Sequence, residues 1–227
     1  MQKEILKDII QWDITSWSKA LTYWEQEVQW NNIHTCLELG AGTGGLSLWL
    51  ALKNKQVICS DILNAESNCS ALHEKYNVTH KIKYETISAG SIPYKDHFDL
   101  VIFKSMLGVA GKNNNMDAIK KVMEQVHQCL KPGGVLLFAE NLAATTLHGY
   151  LRKRYVPWGN SWHYMSLTEM KNLLQIFSSY DIKATGFTAA FGRTGTQRNI
   201  FAIADKLIFN HITPSNWRYV SYGIAIK

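Results

Sequence analysis

The sequence predicts an α/β fold in which helices cover both faces of a mostly parallel β-sheet. Short apolar runs, as expected of buried strands, alternate with segments whose apolar residues recur every three or four positions, as expected of amphipathic helices. This strand, helix, strand alternation favours parallel strands, because each helix returns the chain along one face of the sheet. A glycine-rich turn joins the first such strand to the helix that follows it.

The length and composition predict one domain. The chain has 227 residues, of which 46% are hydrophobic, and this is enough for a single sizeable core. It has no run of eighteen apolar residues, and its start is amphipathic and interrupted by charges, unlike a signal peptide. Four dispersed cysteines without a CxxC pair indicate neither a zinc site nor disulfides. We therefore expect residues 1–227 to form one cytoplasmic domain, with no metal and no membrane partner.

The elements follow in order from these patterns. Residues 1–30 are predicted to form an N-terminal helical cap, in which Trp17, Leu21 and Trp24 share one face. That face either packs on the sheet or closes over a ligand. Helical patterns then separate five predicted strands, at 35–39, 56–60, 80–86, 98–103 and 134–140.

Residues 166–208 are predicted to form a helix and an antiparallel strand pair. The helix begins at Ser166 with capping-box spacing. Two strand-like runs follow, at 180–191 and 198–209, and a glycine-containing loop without a helix joins them, which is typical of antiparallel neighbours. One reversed strand would then close the sheet, and 219–226 could add an edge strand.

The glycine-rich turn is the most informative segment. Within residues 36–52, CLELGAGTGGLSLWLAL, the turn contains Gly40, Gly42 and Gly44. Glycine has no Cβ and tolerates positive φ, so the main chain can bend sharply and approach a ligand at the start of the following helix. The pattern predicts a site for a nucleotide-like cofactor.

Two common kinds of nucleotide site can be compared with this turn. A phosphate-binding P-loop needs a lysine after its last glycine, but Leu46 follows Gly45. A dinucleotide site fits GxGxxG with Asp61 about twenty residues further on. Glu38, however, would add negative charge where a pyrophosphate must bind, and this disfavours NAD and favours a cationic ligand.

The segment ELGAGTGG (38–45) resembles the first motif, ExGxGxG, of class I S-adenosylmethionine-dependent methyltransferases. Three later segments resemble further motifs of that family and occur in its order, namely SDI at 60–62, 93–108 and 130–140. The resemblance spans about residues 30–205. It implies a Rossmann-like, seven-stranded sheet with an antiparallel last strand.

The resemblance implies S-adenosylmethionine as the cofactor, held mainly by residues 31–140, and S-adenosylhomocysteine as the product. Asp61 would accept both ribose hydroxyls, although an acid here can also serve as a helix cap. Ser88 and Ala89 stand where many relatives place an aspartate for the adenine amino group. The predicted cofactor-binding residues are Trp17, Glu38, Gly40, Ala41, Gly42, Gly44, Asp61, Ile62, Ser88, Ala89, Lys104 and Ser105.

Residues 141–165 are too long for an ordinary connection and are rich in aromatic residues. In similar enzymes this region forms a lid over the acceptor pocket. The alternative is that its rings are core residues. His163 is the candidate general base, since the pKa of histidine lies near neutral pH. The predicted acceptor-binding residues are Trp12, Met106, Asn141, Trp162 and Tyr164.

The resemblance thus predicts methyl transfer to an N or O atom of a small-molecule acceptor. Two alternatives remain open. An RNA or protein methyltransferase would use the basic run Arg152–Arg154 as a contact. A non-catalytic cofactor-binding protein would keep the glycine turn without a usable acceptor cavity. The chain lacks an obvious nucleic-acid module, so a nucleic-acid partner is not favoured.

Overall fold

A seven-stranded sheet forms the centre of the protein in the computed structural model, which describes residues 3–227. The strand order is β3-β2-β1-β4-β5-β7-β6, and β7 runs antiparallel to both neighbours while the other strands are parallel to one another. The Rossmann-like fold with an antiparallel last strand is therefore confirmed. The strands are β1 (Thr35–Leu39), β2 (Gln56–Asp61), β3 (Ile82–Thr86), β4 (Phe98–Lys104), β5 (Leu130–Asn141), β6 (Ser179–Thr185) and β7 (Val220–Ile226).

Helices cover both faces of this sheet and bury one apolar cluster against each. One cluster contains side chains of α1 to α4, and the other contains side chains of α5, α6 and α8. The helices are α1 (Lys3–Ile10), α2 (Ile14–Glu27), α3 (Gly45–Leu52), α4 (Ala65–Lys75), α5 (Leu107–Ala110), α6 (Met116–Cys129), α7 (Thr146–Tyr155), α8 (Leu167–Leu174), α9 (Gly195–Ala204) and α10 (Asn210–Ile212).

The central strands read as continuous apolar runs because both of their faces are covered. In β4, the side chains from Leu100 to Phe103 are fully buried. This strand pairs with β1 on one side and β5 on the other. The chain crosses from one half of the sheet to the other between β1 and β4, and the carboxyl ends of strands at such a point form the usual ligand crevice of open α/β sheets.

The predicted strand at 198–209 is wrong. These residues lie in α9 and in a π-helical turn, Asp205–Phe209, that continues it. A capping box between Thr194 and Gln197 fixes the start of α9. This pair of hydrogen bonds forms at the start of a helix and not in a strand. The antiparallel partner of β6 is instead β7, so 219–226 supplies an interior strand and not an edge strand.

The N-terminal helices pack on the sheet and on the glycine turn. An ideal Cβ on Gly45 would lie 2.2 Å from the carbonyl oxygen of Ile9, so only glycine allows α1 to pack this closely against α3. The indole nitrogen of Trp24 donates to the carbonyl of Gly223 at 2.9 Å and joins α2 to β7. Trp17 and Trp24 are both fully buried.

Candidate active site

The turn after β1 has the backbone that its glycines predict. Gly40, Gly42 and Gly44 have φ values of 62°, 58° and 79°, all in the left-handed region. An ideal Cβ on Gly44 would lie 2.6 Å from the ring of His73, whereas one on Gly42 would meet no atom within 4 Å. Gly44 therefore packs inward, and Gly42 borders open space in which a ligand can approach the main chain.

Glu38 is buried beneath this turn. Its carboxylate accepts a hydrogen bond from the backbone N–H of Ser47 at 2.7 Å and another from the Ser47 hydroxyl. Ser47 lies in the first turn of α3, where unpaired N–H groups favour a carboxylate. Burial nevertheless raises the pKa of Glu38 to about 7. The contacts give Glu38 a structural role beside the role expected toward the cofactor.

Asp61 joins the end of β2 to the glycine turn. One carboxylate oxygen accepts the N–H of Gly42 at 2.9 Å, and the other accepts the N–H of Ile62 at 2.7 Å. Ile62 is 59% exposed beside it. The carboxylate of Asp61, which can accept hydrogen bonds from hydroxyl groups, and the exposed side chain of Ile62 therefore lie together at the edge of the open space. A ribose and a flat base require such a pair.

The end of β3 approaches the same place. The N–H of Ile87 donates to the carbonyl of Asp61 at 3.0 Å, which brings Ser88 and Ala89 to this edge. Ser88 is exposed and forms an isolated bridge with Ser91, while Ala89 packs partly on the core. A contact with adenine at this position would use the Ser88 hydroxyl or the backbone.

Lys104 brings a positive charge to the end of β4. Its side chain is largely buried, and its ammonium lies 5.3 Å from the centre of the Trp17 ring. Burial lowers the pKa of Lys104, and the charges of Glu38 and Glu140 oppose this shift. The site thus contains a buried cation flanked by two buried carboxyl groups.

Glu140 was not predicted as a site residue. It lies at the end of β5 and accepts the N–H groups of Met106 at 2.6 Å and Leu107 at 2.8 Å. Burial raises its pKa to about 7. The sequence did contain a signal, because an acid at the end of the apolar run GVLLFAE needs a buried partner.

We expect the Glu140→Gln variant to gain stability over the wild type as the pH rises. The folded-state pKa of Glu140 lies above the usual 4.5, so its stabilising contribution is present below pH 4.5 and is lost as the pH approaches 7. Glutamine accepts the same hydrogen bonds without this penalty. The difference in free energy of unfolding, measured with urea from pH 5 to 8, should change by about 3 kcal/mol. The exposed Glu124, changed to glutamine, should give a constant difference, and a flat profile for Glu140→Gln would contradict the expectation.

The segment after β4 contains two predicted site residues, Ser105 and Met106. Ser105 has a φ of 58°, and its hydroxyl accepts a hydrogen bond from the side-chain amide of Asn141. Met106 is buried, and its Cγ would lie 2.9 Å from a Cβ on Gly40. The structure therefore brings Met106 and Asn141, both predicted acceptor residues, close to the predicted cofactor residues.

Arg152 attaches residues 141–165, the predicted lid, to the end of β5. Its guanidinium donates to the carbonyls of Leu142 at 2.6 Å and Ala143 at 3.2 Å, and it lies 4.2 Å from the centre of the Tyr164 ring. Tyr164 is in turn 6.4 Å from Trp162. The guanidinium of Arg152 is thus occupied by contacts within residues 141–165. Of the basic run, only Lys153 and Arg154 are exposed.

His163 lies on the lid where it meets α5, α6 and α8. Its Nδ1 is 3.0 Å from the side-chain oxygen of Asn114, and its Nε2 is 3.6 Å from a carboxylate oxygen of Glu169. A Cβ on Gly111 would lie 3.1 Å from the Cβ of His163. These contacts hold the ring in place and indicate a positioning role for the lid. The role of general base stays a prediction.

The junction of α1 and α2 crosses the carboxyl edge of the sheet. The side-chain amide of Gln11 donates to the Thr43 hydroxyl in the glycine turn, and the rings of Trp12 and Trp17 lie 5.5 Å apart. Asp13 accepts a hydrogen bond from the hydroxyl of Tyr219, beside β7. The junction therefore spans the site from one half of the sheet to the other.

Asp13 was also missed by the sequence reasoning. It is buried, its pKa is raised by burial to about 6, and its φ is 43°. Within residues 3–227, its second carboxylate oxygen and the indole nitrogen of Trp17 are buried without a hydrogen-bond partner. Buried polar atoms of this kind are rare unless a ligand or water satisfies them. Its contact with Tyr219, more than 200 positions away in sequence, could not be read from any local pattern.

The fold and the arrangement of the glycine turn and Asp61 confirm the resemblance to class I S-adenosylmethionine-dependent methyltransferases seen in the sequence. Residues 37–138 match the family model described as a methyltransferase domain. No curated protein matches the chain by sequence.

Several solved structures share this fold. Phosphoethanolamine N-methyltransferase 2 of Haemonchus contortus, in complex with S-adenosylmethionine, has a TM-score of 0.65 and 16% identity over 93% of this chain. The chain covers only 52% of that protein. A methyltransferase from Methanosarcina mazei has a TM-score of 0.62 and 19% identity over 90% of this chain and 96% of its own. The [4+2]-cyclase SpnF has a TM-score of 0.61 and 14% identity, and the match covers 92% of this chain and 79% of the cyclase.

The described residues contain no group of three or more histidine, cysteine or acidic side chains arranged to hold a metal ion. None of the helices between residues 3 and 227 is long and apolar enough to cross a bilayer.

Proposed function

We propose that the protein transfers a methyl group to an N or O atom of a small-molecule acceptor. One observation carries the proposal, namely the unpartnered buried oxygen of Asp13 and the unpartnered indole nitrogen of Trp17 at the carboxyl edge of the sheet. A small polar acceptor would supply the missing hydrogen-bond partners. The exposed ring of Trp12, which lies against the buried Trp17, would bind its apolar or cationic part.

The residues of the glycine turn fit the cofactor. S-adenosylmethionine supplies an electrophilic methyl group on a sulfonium centre. The open space at Gly42 lets the main chain pass close to a ligand, and Asp61 is placed to accept ribose hydroxyls. Ile62 offers an apolar surface for adenine. Glu38 lies below the turn and supplies negative charge near a cationic ligand.

The acceptor side requires orientation more than acid or base chemistry. A displacement at carbon gains most from alignment of the nucleophile and from exclusion of water, and both depend on the lid and on the α1–α2 junction. A neutral amine needs no base, whereas a hydroxyl must lose its proton. The candidates to receive that proton are His163 and Asp13. Burial raises the pKa of Asp13 to about 6.

The contacts of Arg152 count against an RNA or protein acceptor, because they remove one of the three basic residues of the expected contact. The Haemonchus contortus enzyme has also been solved with phosphomonomethylethanolamine and S-adenosylhomocysteine, a small-molecule amine with the cofactor product. We infer by analogy that this chain also acts on a small molecule. The [4+2]-cyclase shows that the fold supports other chemistry, so the reaction has to be measured.

The proposal is tested by calorimetry and a turnover screen. We expect S-adenosylhomocysteine to bind, and S-adenosylmethionine to be consumed with at least one member of a panel of low-molecular-weight amines and alcohols. Methyl incorporation into RNA or protein alone would overturn the small-molecule acceptor. Binding of S-adenosylhomocysteine without turnover in panel, RNA or protein would favour a non-catalytic binding protein.

With an acceptor from that panel, we expect His163→Ala to lower turnover at least tenfold, within the range of general-base effects. Its affinity for S-adenosylhomocysteine should stay within about twofold of the wild type. Asn114→Ala serves as the control, because it removes only the hydrogen-bond partner of Nδ1. Equal turnover in His163→Ala and the wild type would remove His163 as the base.

A further inference from the structure

Charge is distributed unevenly along the chain. Residues 141–227 contain ten lysines and arginines against three acids, whereas residues 1–140 contain fourteen against fifteen. Of the three acids, only Asp181 forms an ion pair with a lysine or arginine between residues 3 and 227. Asp205 is buried and accepts backbone N–H groups, Asp181 pairs with Lys183, and Glu169 accepts the N–H of Ser166.

The same part of the chain exposes an apolar stripe. From α9 through α10, apolar side chains recur at helical spacing, and each is more than half exposed. Single exposed apolar residues are ordinary on a protein surface, but a continuous stripe is typical of an interaction site. The stripe consists of Ile200, Ile203, Leu207, Ile208 and Ile212.

The lid extends this surface. Its exposed apolar residues are Leu147, Tyr150, Tyr155 and Trp158. The guanidinium of Arg193 lies 4.0 Å from the centre of the Tyr155 ring, which connects the end of α7 to the segment before α9. Lys153, Arg154, Arg193 and Lys206 are exposed here, and none of them forms an ion pair with a residue between 3 and 227. We call the stripe, these lid residues and these four cations the basic apolar face.

We propose that the basic apolar face docks on the surface of a lipid bilayer with anionic headgroups. Aliphatic and aromatic side chains can enter the boundary between headgroups and acyl chains, while lysine and arginine remain level with the phosphates. A second copy of the chain would bring the same positive charge and be repelled. A nucleic acid would match the charge, but it would leave the isoleucines and leucine of the stripe without partners.

Vesicle co-sedimentation tests the proposal. We expect the wild type to pellet with vesicles of phosphatidylcholine containing about 30% phosphatidylglycerol and to remain in solution with pure phosphatidylcholine. Leu207→Ser and Lys206→Glu should each weaken binding about tenfold. Ile176→Ser and Lys121→Glu are the matched controls, because both residues are exposed but lie outside the basic apolar face.

Two outcomes would overturn the proposal. One is the absence of binding to anionic vesicles. This outcome includes the case in which the protein binds RNA, but not the vesicles, at the same ionic strength. The other is an equal loss of binding in the face variants and the controls. Affinity for S-adenosylhomocysteine, measured on every variant, shows that each one is folded. It also separates this result from methyl transfer, since the docking face includes no residue of the cofactor site.

Discussion

Asp61→Ala should weaken the binding of S-adenosylhomocysteine about 100-fold, close to 3 kcal/mol. The carboxylate fixes the turn through Gly42 and the end of β2 through Ile62, and it would also bind two hydroxyls of the ligand. Hydrogen bonds to a charged group contribute about 1.5–3 kcal/mol each. Titration calorimetry measures the loss directly.

Two further variants show whether the Asp61 effect is specific. Asp61→Asn keeps the shape but loses the charge and one acceptor oxygen, so its affinity should fall between those of the wild type and Asp61→Ala. Glu66→Ala removes an exposed acid from the first turn of α4 and should bind like the wild type. If Asp61→Ala binds as tightly as Glu66→Ala, Asp61 is a structural acid only.

Gly44→Ala should mainly lower the stability of the fold, whereas Gly42→Ala should mainly weaken cofactor binding. At Gly44 the new Cβ would collide with the ring of His73. This ring cannot easily move, because it is fixed by hydrogen bonds to the Gly44 carbonyl and the Tyr84 hydroxyl. With the cost of a left-handed alanine, about 1–2 kcal/mol, we expect a loss of about 3–5 kcal/mol in the free energy of unfolding. At Gly42 only the conformational cost applies, because the space there is open.

Gly42→Ala should instead weaken cofactor binding, since its methyl group points into the space that the ligand would use. We expect a loss of at least tenfold in affinity, with the free energy of unfolding lowered by only about 1–2 kcal/mol. Gly149→Ala, where a Cβ also meets no atom within 4 Å, is the control for adding a methyl group in open space. Equal stabilities of Gly42→Ala and Gly44→Ala would contradict the assignment of inward and outward glycines.

The cofactor half of the site could be predicted from sequence because its determinants are local. Gly40, Gly42 and Gly44 permit the positive φ values that the turn adopts, and Asp61 ends a short apolar run that is typical of a strand. The five parallel strands were recognisable for the same reason, since each is a short apolar run between helical patterns. The structure places these strands within a few residues of the prediction.

The proposed acceptor half depends on contacts that sequence patterns do not record. Residues 198–209 are apolar enough for either a strand or a helix, and the position of β7 inside the sheet decides between them. The partners of Asp13 and Glu140 come from other elements, so the identity of these partners could not be foreseen. Arg152 was expected on the surface but is bound to the lid, because its neighbours supply carbonyls and an aromatic ring.

The contacts between α2 and β7 also set the order in which the site can assemble. Asp13 meets Tyr219 across 206 positions and Trp24 meets Gly223 across 199, whereas the contacts of Asp61 with the glycine turn span 19. Contacts between distant residues form late, because a long loop must close before they are gained. The cofactor turn can therefore become structured while much of the chain is still unfolded, and the proposed acceptor side is completed only when β7 enters the sheet.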